Sequence, residues 1–197
     1  RNFDNFILIQ YIRSTQPSAF IDQLVFYDDF VNGTYDDWIV DNGTWDASEG
    51  YLRSKGWLQF NHSNYPATIL ENIAEIRRPL SPLIPFNNIS LQFDFRFETP
   101  FFDDMHNQEI FIRFQINESS YFALSFVEDG LFGGNGSLKF IMRENGEDTI
   151  FADESFTTDN QWHTVNLEVI DNKVSVRYDG WIEIDQCEVL NLENGAF

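Results

Sequence analysis

The sequence contains little cysteine and little positive charge, and both shortages limit its chemistry. Cys187 is the only cysteine among 197 residues, which excludes an internal disulfide and a cysteine-based zinc site. We expect it to be a small buried hydrophobe, with an intermolecular bridge as the alternative. Twelve lysine and arginine residues stand against 32 aspartate and glutamate residues, a formal net charge of -20. Because such a field repels phosphate groups, we expect neither a nucleic-acid partner nor an anionic membrane surface.

Long apolar runs and nucleophile motifs are also missing. No run of about 18 apolar residues occurs, so we expect no membrane insertion. The three histidines, His62, His106 and His163, lie in different segments, and no serine or cysteine nucleophile motif accompanies them. The glycine-rich stretch at residues 130–136 lacks the lysine of a phosphate-binding loop. From these absences we expect a protein that is not an enzyme. One acidic pattern near the end of the chain is the only feature that points to catalysis.

Strand-forming aromatic sequence is abundant. The chain has 21 phenylalanines and 5 tryptophans, enough for a large core in a single domain. Residues 90–98 alternate apolar and polar side chains, and residues 161–180 read as two alternating strands joined by a turn at Asp171-Asn172. Many such strands with hardly any helical pattern predict an all-β fold, an antiparallel β-sandwich of two sheets.

The first residues differ from the other strands because they are apolar on both faces. Such a strand belongs between two neighbours within a sheet. The residues that we expect to form a strand joining one subunit to the next are Phe3, Phe6, Ile7, Leu8, Ile9, Tyr11 and Ile12. A polar segment containing Pro17 follows and reads as a linker. We therefore divide the chain into an N-terminal strand and linker, residues 1–20, and a sandwich body, residues 21–197.

Two stretches resemble a known superfamily. Residues 26–52, with Asp-Asp-Phe at 28–30 and Gly-Thr-Trp at 43–45, and residues 161–180, with a Trp, a hairpin and a closing Asp-Gly, resemble the concanavalin A-like, laminin-G-like jelly-roll superfamily. The resemblance covers residues 24–197 and implies a jelly-roll sandwich. That superfamily includes lectins, glycan-binding modules, glycoside hydrolases and adhesion domains, so the resemblance alone does not choose a function.

The chain departs from the superfamily in the order of its strands. Relatives continue after the hairpin into a closing strand, whereas this sequence stops at residues 194–197, and residues 1–12 look like the missing strand. We therefore expect a structural subunit of an extracellular filament or surface array. Copies of the chain would join head-to-tail by donating the N-terminal strand, or as covalent tandem repeats. In the alternative, residues 13–23 let this strand fold back and complete its own sheet.

Sequons for N-glycosylation are unusually frequent. Chance predicts about two from the numbers of Asn, Ser and Thr. Six occur, at Asn32, Asn42, Asn61, Asn88, Asn117 and Asn135. This excess predicts a secreted or cell-surface protein that carries covalent N-glycans. Asn-Gly pairs are also ordinary turn formers, which accounts for some of the matches.

Carboxylates near turns suggest a cation site. Hard cations such as calcium bind several oxygen ligands, and jelly-roll relatives often hold a calcium ion. We expect no cofactor other than calcium, for which Asp28 and Asp179 are the candidate ligands.

The rival function is a secreted glycan-binding module or a glycoside hydrolase. Glu183, Asp185 and Glu188 match the E-x-D-x-x-E pattern of one jelly-roll glycosidase family, in which one carboxylate is the nucleophile and another the acid. Here, however, the pattern follows the final hairpin instead of lying in mid-chain. Glycan binding would require exposed aromatic side chains such as Trp57 or Trp181.

Overall fold

The structure, a computed structural model, describes residues 2–13, 20–54, 75–77, 88–97, 108–117, 120–128, 135–157, 159 and 161–189. Every regular element in these ranges is a β-strand. None of the described residues forms a helix long and apolar enough to span a bilayer. The strands are β1 (Asn2–Arg13), β2 (Phe20–Asp28), β3 (Ile39–Asn42), β4 (Trp45–Asp46), β5 (Leu52–Ser54), β6 (Glu75–Arg77), β7 (Ile89–Arg96), β8 (Gln108–Asn117), β9 (Ser120–Glu128), β10 (Asn135–Glu144), β11 (Glu147–Thr157), β12 (His163–Ile170), β13 (Lys173–Tyr178) and β14 (Trp181–Glu188).

The larger sheet has eight strands in the order β14-β13-β12-β7-β1-β5-β4, and β2 also pairs with β1. All of these pairings are antiparallel. In β7 and β12 every second residue is buried and the others are half-buried. This alternation follows from the period of two in the sequence, which directs one row of side chains to the core and the other away from it.

The smaller sheet has four strands in the order β11-β10-β9-β8, each hydrogen-bonded to its neighbour in sequence. The β10–β11 hairpin turns at Asn145-Gly146, where both residues have positive φ angles of 53° and 87°. Two consecutive positive φ angles match the right-handed twist of a two-residue hairpin, which is why Asn and Gly occupy the turn. A separate pair, β3 and β6, completes the described strands.

One hydrophobic core lies between the two sheets. Phe93 and Phe95 of β7 contact the ring of Phe126 of β9, with centroid distances of 6.2 and 4.9 Å. Phe156 of β11 meets Tyr178 of β13 at 5.1 Å. These contacts confirm the predicted all-β antiparallel sandwich. The jelly-roll connectivity stays a prediction.

The predicted hairpin at residues 161–180 is confirmed as β12 and β13. Val165, Leu167 and Val169 are fully buried, as the alternation predicts. Asp171 and Asn172 form the turn with φ angles of 50° and 63°. The sequence signal was reliable because short polar side chains tolerate this backbone conformation better than other residues do.

The N-terminal strand occupies an interior position of the larger sheet. One edge of β1 pairs with β7 from Asn2 to Gln10. Its other edge pairs with β5 at Asn2 and Phe3, and with β2 from Phe6 to Arg13. The single chain therefore completes its own sheet, as the self-completion alternative predicts, because both edges of β1 find backbone partners there. The donation hypothesis now requires that copies exchange β1, and joining by this strand stays a prediction.

Candidate functional site

Three side chains meet at one end of the outer face of the larger sheet. Arg96 is the last residue of β7 and points away from the core, because its neighbours Phe95 and Phe97 are buried. Tyr51 immediately precedes β5, and Trp162 immediately precedes β12. The backbone of Asn2 pairs with β5 on one side and with β7 on the other, which brings these strand ends together. We call Tyr51, Arg96 and Trp162 the aromatic corner.

The aromatic corner is ordered by ring and cation contacts. The guanidinium carbon of Arg96 lies 4.9 Å from the Trp162 ring centroid and 5.5 Å from that of Tyr51. The two rings meet edge to face at 5.5 Å with an interplanar angle of 76°. A cation over an indole face is favourable, and so is an edge-to-face ring pair. Trp162 is nevertheless 38% exposed, so the contacts with Arg96 and Tyr51 leave part of this residue accessible to solvent.

Exposed carboxylates are bonded to Tyr51 and to the residues next to Trp162. The Tyr51 hydroxyl donates a hydrogen bond to Glu49, which also forms an ion pair with Arg53 at 3.7 Å. Asp159 accepts the backbone N–H of Gln161 at 2.6 Å. The corner therefore combines apolar ring surface with carboxylate oxygens that can accept further hydrogen bonds.

His163 fixes the backbone beside Trp162. Its Nδ1 lies 2.7 Å from Oδ2 of Asp179 and its Nε2 lies 2.9 Å from Oδ1 of Asp159. A protonated ring donates to both carboxylates, and a neutral ring to only one. The backbone N–H of Thr164 donates to Asp179 at 2.9 Å, and the imidazole stacks on Tyr178 at 4.8 Å. This network joins Asp159, His163 and Thr164 to Asp179, which directly follows β13.

The surroundings of Tyr178 keep its hydroxyl protonated. Burial raises the pKa of Tyr178 above its ordinary value, and the nearby Asp179, Asp159 and Glu183 raise it further. The phenol therefore stays neutral to a higher pH than an exposed tyrosine would. We assign it a packing role beneath His163.

The two calcium candidates are bonded to different protein groups. Oδ1 of Asp28 accepts the backbone N–H of Phe30 at 3.1 Å, and its Oδ2 accepts the indole N–H of Trp38 at 2.7 Å. Asp179 binds His163 and the backbone of residue 164. Within the described ranges, no three His, Cys, Asp or Glu side chains are grouped closely enough to hold a metal. A calcium ion at either aspartate stays a prediction.

The acidic pattern lies on β14, an outer strand of the larger sheet. Glu183 is half-buried, whereas Asp185 and Glu188 are exposed. Gln186 has a φ of 47°, and the pairing with β13 shifts register there, so the strand departs from strict alternation. Burial raises the pKa of Glu183, and Glu154 raises it further. A raised pKa suits a general acid, but nothing here places a substrate beside it, and hydrolysis stays an untested alternative.

Cys187 is half-buried on the same strand. Its thiol contacts the backbone carbonyl oxygen of Phe151 at 3.7 Å, which links β14 to β11 of the other sheet. Burial raises the pKa of the thiol, so the reactive thiolate is less populated than in a fully exposed cysteine. Cys187 is thus half-buried, whereas the sequence predicted a buried side chain.

Asn32 has the geometry of an accessible glycosylation site. Asn32 and Thr34 are both exposed, in a turn where Gly33 has a φ of 75°. The Asn32 side-chain oxygen accepts the backbone N–H of Thr34 at 2.9 Å, which closes a small turn over the sequon. The amide nitrogen that would carry the glycan is not used in this bond.

The remaining sequons occupy varied positions. Asn42 ends β3, Asn117 ends β8 and Asn135 begins β10, all at strand ends as predicted. Asn88 precedes β7, is half-buried and has a φ of 57°. Asn61 lies outside the described residues. The structure therefore describes an exposed acceptor side chain at Asn32 and a less accessible one at Asn88.

The two tryptophans expected to bind glycans are not part of the aromatic corner. Trp181 begins β14 and is 77% exposed, and Trp57 lies outside the described residues. Sequence reasoning missed the corner itself. Trp162 lies in the stretch 161–180 that carries the resemblance, but no spacing in the sequence connects it with Tyr51, 111 positions earlier. The order of strands in the sheet is what brings them together.

Comparison with family models, with curated proteins and with solved structures found no match for this chain. The resemblance to the concanavalin A-like, laminin-G-like superfamily therefore stays a prediction. The function has to be argued from the geometry of the chain itself.

Proposed function

We propose that the chain is a structural module of an extracellular, N-glycosylated filament or surface array whose copies are joined by exchange of β1. The observation that carries this proposal is the interior position of β1. The strand is hydrogen-bonded along both edges, and Phe6 of this strand is only 7% exposed. Without β1, β7 would lose a neighbour and the core would lose a phenylalanine.

The position that β1 fills in its own chain is identical in every other copy. A strand supplied by a neighbour would find the same register against β7 and β2, so exchange preserves each pairing. Each copy would give one strand and receive one. Because this head-to-tail contact need not close into a ring, it can propagate as a fibre.

The excess of sequons supports an extracellular location. The number of sequons is about threefold the chance expectation, and Asn32 offers an exposed acceptor in a defined turn. An abundance of acidic surface charge also suits a soluble, hydrated surface. The function is therefore proposed as mechanical and non-enzymatic.

A cross-strand disulfide tests the exchange of β1. Ile7 of β1 and Gln92 of β7 are directly paired and both are half-buried, so Ile7→Cys with Gln92→Cys places two thiols within bonding range. Cys187→Ala removes the native thiol. After concentration and oxidation, a ladder of covalent multimers on a non-reducing gel is the expected result. Exclusively intrachain disulfides at every concentration would refute exchange.

A second pair within the body serves as the matched control. Asn166 of β12 and Arg177 of β13 are paired in the same way, within one hairpin that no exchange of β1 can separate. Asn166→Cys with Arg177→Cys should give monomers only. Multimers from this pair would indicate nonspecific crosslinking.

A further inference from the structure

We propose that β8 is a self-complementary edge at which two copies of the chain join their smaller sheets. In the joined pair, β8 of one copy lies antiparallel to β8 of the other, with the two Phe111 residues directly opposite each other. This contact belongs to the smaller sheet, whereas β1 belongs to the larger one, so the proposal does not rest on the exchange of β1.

The regularity of β8 makes it suitable for such pairing. Within the described ranges it pairs with β9 alone, and its register is unbroken from Gln108 to Gln115. In an antiparallel pair, alternate backbone groups of each strand point away from the partner. A long and regular edge strand therefore presents a row of N–H and C=O groups that can pair with another strand.

The other edge strands of the described sheets carry features that hinder pairing. In β11, Phe151 is an extra residue where the register against β10 shifts, and β2 also shifts register against β1. The pairing of β14 with β13 shifts twice, and β14 carries the carboxylates Glu183, Asp185 and Glu188. β3, β4 and β6 have four residues or fewer. Bulges, charges and short length all protect an edge, and β8 is the long edge strand without a bulge in its middle.

The sequence of β8 is self-complementary about Phe111. When two antiparallel copies are centred on this residue, Glu109 of one copy is paired with Arg113 of the other. The two-fold axis repeats this pair on the other side of the centre. Ile110 is paired with Ile112 in the same way. Opposite charges and apolar pairs at directly opposed positions stabilise neighbouring strands.

Other registers lose this match. Moving the centre to Ile110 or Ile112 places a charged residue opposite Phe111 and separates the opposite charges. Centring on Glu109 or on Arg113 sets like charges opposite each other. A centre between two residues would join the buried side of one sheet to the outer side of the next, because successive residues face opposite sides. Charge and periodicity therefore select one register.

Phe111 is placed to lie at the centre of the contact. It is 40% exposed, whereas the neighbouring Ile110 is 1% exposed, so Phe111 lies on the outer side of the sheet. Its ring meets that of Tyr121 on β9 edge to face at 5.8 Å. A second Phe111 opposite it would cover part of the apolar surface that this residue leaves in solvent.

A single cysteine at position 111 tests the register directly. Because position 111 lies on the two-fold axis, Phe111→Cys in a Cys187→Ala background places two equivalent thiols opposite each other. Oxidation should give a disulfide-linked dimer, and no larger species, on a denaturing non-reducing gel. Physiological ionic strength is suitable, because a Debye length of about 8 Å limits repulsion between the two net charges.

Ile150→Cys in the same background is the control for this crosslink. Ile150 is 52% exposed on β11, the opposite edge strand of the same sheet, and this variant should stay monomeric. The proposal is overturned if Phe111→Cys gives no dimer, or if Ile150→Cys gives as much dimer as Phe111→Cys.

Charge reversal separates the β8 contact from the exchange of β1. A chain with Cys187→Ala whose β1 is held to its own β7 by an oxidised Ile7→Cys, Gln92→Cys pair cannot exchange that strand. Sedimentation of this chain should still show a concentration-dependent dimer. Adding Arg113→Glu sets like charges opposite each other twice and should weaken the dimer at least about tenfold.

The double reversal Glu109→Arg with Arg113→Glu restores opposite charges at both positions. It should return the dimerisation constant to within about threefold of that of the unreversed chain. This rescue shows that the single reversal acts on the contact and leaves the fold intact. A locked chain that stays monomeric, a dimer unaffected by Arg113→Glu, or a double reversal that restores nothing would each overturn the β8 contact without bearing on β1.

Discussion

The ring of Phe6 lies almost parallel to the ring of Phe93, with centroids 5.4 Å apart and an interplanar angle of 13°. Phe6 also meets the indole of Trp38 at 5.4 Å and the ring of Phe30 at 6.3 Å. One side chain near the start of the chain thus contacts β7 and the segment that follows β2. These contacts make β1 part of the core, and they underlie the first prediction.

Phe6→Ala should lower the free energy of unfolding by about 3–5 kcal/mol, because it removes a buried ring and leaves a cavity beside Phe93. Urea denaturation followed by tryptophan fluorescence measures the change. Ile7→Ala is the control, since Ile7 lies next to Phe6 in β1 but is only half-buried. It should cost clearly less, and equal losses would show that Phe6 is not seated in the core.

Asp179→Asn should destabilise the protein by about 1–3 kcal/mol, because the carboxylate that receives His163 and the N–H of Thr164 is replaced by a neutral amide. Asp179 has a φ of 49°, which asparagine adopts readily, so the substitution does not strain the backbone. Thermal unfolding measures the loss. Asp185→Asn on β14 should have little effect, and a wild-type stability for Asp179→Asn would refute the role of the network.

Asn32 should carry a glycan when the chain is secreted from a glycosylating cell. Asn32→Gln and Thr34→Ala should each reduce the mass by one glycan, as seen by intact-mass spectrometry before and after enzymatic deglycosylation. Asn145 is the matched control, because it precedes Gly146 in a similar turn but is followed by Glu147 instead of Ser or Thr. Asn145→Gln should leave the glycan mass unchanged. A Thr34→Ala variant with full glycan mass would contradict the assignment.

Glu183→Gln should alter the pH dependence of stability. Burial raises the pKa of Glu183 above its ordinary value of 4.5, so the native state holds this proton after the unfolded state has lost it. The stabilising contribution is therefore complete below pH 4.5 and is lost as the pH rises through the folded-state pKa. Glutamine stays neutral, so this variant should gain stability relative to wild type between pH 4 and pH 7.

Urea denaturation at about pH 4 and about pH 7 measures the stability that Glu183→Gln gains relative to wild type. Glu188→Gln is the control, because Glu188 is exposed on the same strand. The stability of this variant should differ from that of the wild type by the same small amount at both pH values. A Glu183→Gln variant whose difference from wild type does not change with pH would contradict the burial of this carboxylate.

Local patterns were sufficient to predict the strands that alternate most regularly. The alternation in β7 and β12 fixes which side chains are buried, because a period of two depends only on neighbouring residues. The turn at Asp171-Asn172 could be predicted for a similar reason, since its backbone conformation restricts the residue types at that position. The sequons and the net charge were likewise readable without a structure.

The neighbours of each strand could not be predicted in the same way. Alternation decides which face of a strand is buried, but it gives no preference among the possible partner strands. The sequence suggested that β1 completes a sheet but left open whether that sheet was its own or a neighbour's. In the single chain, β1 pairs with β7 and Phe6 contacts Phe93, so β1 completes the sheet of its own chain.

The sequence by itself determined the strand class, the hairpin turns and the charge of this protein, because those properties depend on residue type and local spacing. Only the tertiary structure decided that Tyr51, Arg96 and Trp162 meet, since they come from segments that are distant in the chain. Their contact depends on the strand order, in which β1 lies between β5 and β7 while β12 pairs with β7 on its other side. That order is selected by long-range backbone pairing and shared core packing, which no local pattern encodes.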